Sequence, residues 1–277
     1  MKVISFLFFL TIPLLSFSKT FTSKIHHIDE SSDGSPHLIM LIEGDVIFLS
    51  DNKNEYLDSL KRSKELNRSL KIQTDDQNNF ISVGSLKVNM DNSDAFLNKE
   101  DHLDVNSSYE PTILNSYNDA TQIFRRMRRD YQTNSQCYNR AHIWTWEEYN
   151  RSQLRSKKYF LFFTARYIRA YRYHWWFHVT PAVSINGLGD RMLDRRYTVE
   201  IKSIKDWTDK FIYSKRSCPI VFKYNDYRNN QYAEHCYLIP VSMYFWQPRD
   251  IERRDRLGTE KRSFIKSEVN YAYWEAF

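Results

Sequence analysis

The chain has 277 residues and a formal net charge of +6, a length that suits one or two domains of ~100–150 residues each. Beyond its first residues no stretch approaches the ~20 apolar residues that a membrane-spanning helix needs, so a soluble mature protein is expected. Charge divides the chain: residues 19–120 hold 10 Lys/Arg against 18 Asp/Glu, a net of −8, and residues 121–277 hold 29 against 16, a net of +13. Opposite charges favour docking of one half on the other, and an acidic half would shield a basic surface, so no nucleic-acid partner is expected.

Met1-Lys2, the apolar run 3–17 and the small residues Ser16 and Ser18 form a signal-peptide pattern with cleavage after Ser18. The run is too short for a membrane anchor and contains Pro13, so export to the extracellular space or periplasm, with no membrane partner after cleavage, is expected. Residues 37–50 read as two short strands around a Gly44 turn. Leu57, Leu60, Leu66 and Leu70 recur at near-helical spacing, and residues 80–83 and 86–88 return to strand-like runs. Residues 19–112 therefore form a small α+β unit, which ends in an acidic linker over residues 89–110.

In the second half, Ser116 or Asn118 caps a helix with Ala120, Ile123, Phe124 and Met127 on its apolar side. The arginines at 125, 126, 128 and 129 read as its solvated face. A second helix runs from Cys137 to about Gln153. Residues 159–163, 175–179, 219–222, 237–239 and 243–246 are aromatic or branched runs typical of buried strands. Helices followed by strands predict an α+β domain over residues 113–277.

Of the three cysteines, Cys218 and Cys236 flank neighbouring strand-like runs and can pair, leaving Cys137 alone; the alternative is three buried, inert thiols. Cys137 begins a helix, where free amides and the helix dipole favour a thiolate and can hold an oxyanion. A lone Cys at a helix start is more often structural, so catalysis also requires a base. His26, His27, His37 and His102 lie in the acidic part. His142, five residues after Cys137, turns away from the thiol, and His235 lies in a polar stretch and reads as exposed. His174 and His178 share one strand-like run and one face. His178, among aromatics, needs partners for both ring nitrogens, which Cys137 and a carboxylate would supply. Asp190 reads as turn chemistry. Asp194 either orients the imidazole or pairs with Arg195 or Arg196.

Cys137-Tyr138-Asn139-Arg140-Ala141-His142, Trp175-Trp176-Phe177-His178-Val179 and Leu193-Asp194 together resemble the motifs of the protein-glutaminase family, over roughly residues 121–247. Where that family commonly has Pro after the Asp, this chain has Arg195. The resemblance implies a papain- and transglutaminase-like core, in which a Cys-bearing helix packs on an antiparallel sheet bearing His and Asp. It makes Cys137 the nucleophile, His178 the general base and Asp194 the orienting carboxylate. Gln136, Tyr138, His142, Trp175 and Trp176 are expected in or behind the cleft, the aromatic residues more as core than as wall. The implied reaction converts glutamine side chains of proteins or peptides to glutamate and ammonia through a thioester, with no metal or cofactor. A transglutaminase, a cysteine protease or an inactive binding module could carry the same residues. Members of the family have an N-terminal pro-region over the active site. Residues 19–112 occupy that position, as an inhibitor released by cleavage in the linker or as a fixed accessory domain.

Overall fold

The computed structural model describes residues 18–85, 102–103 and 109–277. The expected signal peptide, most of the acidic linker and the run at 86–88 lie outside the described residues. The chain separates into two units: one runs to Ile39 and resumes over Ile47–Leu86, and the other combines Met40–Val46 with Lys87–Phe277.

The first unit is built on five strands, β1 (Lys19–Asp29), β2 (His37–Leu41), β3 (Val46–Leu49), β4 (Ser69–Thr74) and β5 (Phe80–Ser85), in the order β3-β2-β1-β4-β5. Strands β2 and β3 meet at Gly44, whose φ of +108° suits glycine and few other residues. Helix α1 (Leu57–Glu65) buries Leu57 and Leu60. The leucine periodicity outlasts the helix: Leu66 is 49% exposed, and Leu70 lies on β4. Asn67, with a left-handed φ of 50°, turns the chain between them.

The second unit contains, in chain order, β6 (Ile113–Leu114), α2 (Tyr117–Arg126), α3 (Cys137–Ser152), β7 (Lys157–Phe163), α4 (Ala165–Tyr171), β8 (Phe177–Ile185) and β9 (Gly189–Met192). There follow β10 (Lys202–Ser203), α5 (Ile204–Thr208), α6 (Tyr224–Asn229), β11 (Cys236–Ser242), α7 (Pro248–Leu257) and α8 (Lys266–Ala276). The sheet order is β10-β9-β8-β7-β11, antiparallel throughout, with β6 pairing parallel to β8. Strands β7 and β8 are buried along almost their whole length. Side chains on both faces are thus removed from water, which is why these segments read as unbroken apolar runs.

Helix α2 starts where Ser116 accepts a hydrogen bond from the Asp119 amide and donates its own amide to the Asp119 carboxylate, a capping box. Its Ile123 and Phe124 join Ile143 and Trp144 of α3, Val183 and Ile185 of β8, and Ala272 and Ala276 of α8 in one core. That core seats the Cys-bearing helix on the sheet.

Several strand-like runs are not strands. Residues 219–222 make one bridge, Ile220 to Leu238, and leave Phe222 69% exposed; a run that buries so little gains little from sheet pairing. Residues 243–246 are fully buried but form a turn into α7, since an apolar run records burial and not backbone geometry. Trp175 and Trp176 precede β8, so His174 is not on the strand with His178. His235 is 7% exposed, contrary to its polar context, and its Nδ1 lies 2.8 Å from the Ser214 hydroxyl. Cys218 and Cys236 are joined by a disulfide.

Candidate active site

Cys137 is the first residue of α3 and is partly exposed, and it is the free cysteine. Extended backbone at Gln136 enters the helix, so the thiol stands at the open end, where backbone amides lack intrahelical acceptors. The Gln136 amide is already used: it donates to the Glu275 carboxylate at 3.0 Å, and that carboxylate also accepts from the Asn139 side chain at 2.9 Å. The Asn139 carbonyl in turn accepts from Trp246 Nε1 at 2.8 Å. The first turn of the helix is thereby tied to α8 and to the turn before α7.

His178 is the second residue of β8 and is 2% exposed. Its Nε2 lies 2.7 Å from Asp194 Oδ2, and its side chain is also hydrogen-bonded to Cys137. With Nε2 on the carboxylate, Nδ1 is the nitrogen left for the thiol. Burial opposes charge on this imidazole, but the Asp194 charge and hydrogen bond, together with Cys137, outweigh it and raise the pKa to about 9. Asp194 follows β9 and is 1% exposed. Burial disfavours its charge too, yet His178 and the indole of Trp207 hold it below the usual carboxylate range. Trp207 Nε1 donates to the same Oδ2 at 2.8 Å.

The remaining residues singled out from the sequence divide between cleft and core. Trp175 is partly buried and stacks on the His178 ring, centroids 6.2 Å apart. Tyr138 and Trp176 are core: Tyr138 packs on Phe177 and Trp246, and Trp176 Nε1 donates to the Leu41 carbonyl at 2.7 Å. His142 is fully buried, with Nδ1 2.8 Å from Lys158 Nζ. Asp190 is bound to Lys157, Tyr159 and Ser184 rather than to the imidazole.

Three neighbours of His178 carried no signal in the sequence: Trp207, Phe211, whose ring lies 4.6 Å away, and Tyr197, edge-on at 5.1 Å. They sit on short segments after Asp194 that lack any periodicity, and only chain folding returns them to the imidazole.

Residues 112–211 match the family model described as glutaminase. No curated protein sequence matches the chain. The fold is similar to the crystal structure of pro-protein-glutaminase, at 12% identity and a TM-score of 0.52 over 92% of each chain. It is likewise similar to a mutant of pro-protein-glutaminase, at 12% identity and a TM-score of 0.52 over 92% of this chain and 91% of that one. The family match contains Cys137, His178 and Asp194, the three residues that the fold brings into one hydrogen-bonded chain, and over residues 112–211 this chain is similar to the glutaminase family.

Proposed function

We propose that the protein hydrolyses glutamine side-chain amides in polypeptides to glutamate and ammonia, with Cys137 as nucleophile. The observation that carries this reading is the continuous hydrogen-bonded chain from Cys137 through His178 to Asp194, inside the region matched by the glutaminase family. His178 takes the thiol proton, and the sulfur attacks the amide carbon, whose oxygen gains the electron pair. Amides at the start of α3 stabilise that oxyanion. Collapse returns the pair to the carbonyl, and the C–N bond breaks as His178 delivers its proton to nitrogen. Ammonia leaves and a thioester remains. Water, giving up a proton to His178, attacks the thioester; the products are the glutamate carboxyl group and the regenerated thiol. Asp194 keeps Nδ1 aimed at sulfur throughout.

The segment Met40–Val46 supports a role for the N-terminal part in controlling this site. The Gly44 carbonyl accepts from the Trp176 amide at 2.9 Å, and the Val46 amide donates to the His174 carbonyl at 2.8 Å. These bonds lie two and four residues ahead of His178. Export follows from the signal-peptide pattern, and residues 19–112 then act as a pro-region removed by cleavage in the linker.

The test is ammonia release from a casein-like protein and from free glutamine, with the intact chain before and after limited proteolysis. Release from the protein that increases on proteolysis and vanishes in Cys137→Ala is expected. If cleaved, folded protein releases no ammonia, a transglutaminase or protease assignment replaces this one; unchanged release on cleavage removes the inhibitory role.

A further inference from the structure

Next to the triad lies a second, strongly basic feature. Arg128, Arg129, Arg195 and Arg196, with Tyr131 and Tyr197, line a cavity of about 340 Å³. Three segments assemble it: the chain leaving α2, Trp144 of α3, and the turn that follows Asp194. Arg128 is neutralised by Asp130 at 2.8 Å and Glu147 at 3.0 Å. Arg129, Arg195 and Arg196 make no ion pair among the described residues. Arg195 is nonetheless held in place. Its guanidinium lies 4.6 Å from the Phe124 ring centroid and Nη2 donates to the Arg125 carbonyl at 3.3 Å, while its buried Nε has no acceptor. Arg196 is fixed by a 3.3 Å bond to the Thr133 carbonyl. The Tyr131 hydroxyl is buried without a partner in the same wall.

A solvated arginine surface keeps its donors in water. Here ordered guanidinium groups of like charge converge on a concave site, with a buried N–H and a buried O–H left over, and leaving such donors unpaired is costly. Carboxylates match this arrangement, because guanidinium groups bind them through paired, charge-assisted hydrogen bonds. The cavity also adjoins the catalytic residues. Tyr197 lines it while its ring sits 5.1 Å from that of His178 and 6.0 Å from that of Trp175, and the amide and hydroxyl of Thr198 both donate to the Asp194 carbonyl.

We propose that this cavity is a carboxylate subsite for the substrate polypeptide: an aspartate or glutamate near the target glutamine binds among Arg129, Arg195 and Arg196 and draws the glutamine toward Cys137. The inference rests on the glutaminase reading and extends it to substrate choice. It also has a consequence for proteins with several glutamines. Each turnover converts a neutral side chain into a carboxylate, so a partly deamidated protein presents more ligands for the subsite than the original one.

The experiment uses the full chain carrying Cys137→Ala, before and after limited proteolysis, and two end-labelled peptides with one central glutamine. One peptide carries aspartates on both sides at a few residues' distance, the other serines in their place. Fluorescence anisotropy should find the aspartate peptide bound about tenfold more tightly, the equivalent of one well-formed charged hydrogen-bond pair. Raised salt should erase the difference, as should the pair Arg129→Gln and Arg196→Gln, with binding of the serine peptide unchanged. Equal binding of the two peptides, including no binding of either, overturns the subsite, as does a preference that survives both arginine changes. A selective aspartate peptide from which the Cys137 protein releases no ammonia would leave the subsite standing and remove the glutaminase reading.

Discussion

At the scale of single residues, one imidazole carries competing influences whose balance can be measured. Burial disfavours the His178 cation, and the Asp194 carboxylate, the hydrogen bond between them and Cys137 reverse that preference, so that the pKa rises to about 9. In the proposed reaction the Cys137–His178 pair must hold one proton to pass to the departing ammonia, so kcat/KM should fall as pH rises through about 9, where the imidazole of the ion pair loses it. Asp194→Asn removes the charge that opposes burial. Its alkaline limb should therefore move to lower pH, with kcat reduced by roughly 10⁴, the loss typical of a triad whose imidazole is misoriented. A pH–rate profile of both forms decides this, and an unmoved limb would separate Asp194 from His178 function. Stability has the same sign: a raised histidine pKa contributes fully below about 6.5, and the contribution is lost as pH climbs through about 9. Trp207 belongs to the same balance, since its indole is one of two donors to Asp194 Oδ2. Trp207→Phe should cost about 1–3 kcal/mol, the usual range for losing one hydrogen bond to a buried charged group, and lower the rate without abolishing it, as thermal melts and ammonia release would record.

Among the elements, α2 and α3 illustrate what local chemistry can and cannot specify. Ser116 closes a capping box with Asp119, and the sequence pattern already offered Ser116 as a cap. Ser116→Ala should destabilise the protein by about 1 kcal/mol, visible as a lower melting temperature with ammonia release retained. Helix α3 begins at the expected residue, but its first turn is held by groups far away in the chain: Glu275 of α8 on the Gln136 amide and Trp246 on Asn139. Strand assignments were legible where burial and pairing coincide, as in β7, β8 and β11. They were not where burial occurs without pairing, as at 243–246, or where an apolar run faces solvent, as at Phe222. Hydrophobic character reports removal from water, and the two geometries bury such side chains equally well.

For the molecule as a whole, the Cys-bearing helix packs against a buried polar group that the sequence presents as an ordinary lysine. Lys158 of β7 is 0% exposed; its Nζ lies 2.8 Å from His142 Nδ1 and donates to the Phe245 carbonyl at 2.7 Å. Burial, reinforced by the nearby charge of Lys261, holds the Lys158 pKa well below its usual value. Burial and the Lys158 and Lys261 charges do the same to His142. Both groups bind fewer protons folded than unfolded. Stability from this pair is therefore present above the unfolded pKa values and lost as pH falls, with both contributing below about 6.5. Lys158→Met should lower the melting temperature at pH 8, where it leaves His142 and the Phe245 carbonyl without their donor, and the gap from the parent should narrow at pH 5. A gap that is constant across pH would mean that Lys158 is charged in the folded protein.

What the sequence by itself determined is chemical and local: a cysteine at a helix start, a histidine inside an aromatic run, an aspartate behind two apolar residues, a helix cap, and a polarity of charge between the two halves. These properties depend on residues a few positions apart, where propensity, capping and periodicity act. The tertiary structure alone decided that Trp207 shares the Asp194 oxygen, that His235 and Lys158 are buried, and that arginines from two separate segments converge on one cavity. Each of these contacts is set by the path of the chain between distant residues, which depends on the packing of whole elements against one another and leaves no periodic trace in the sequence.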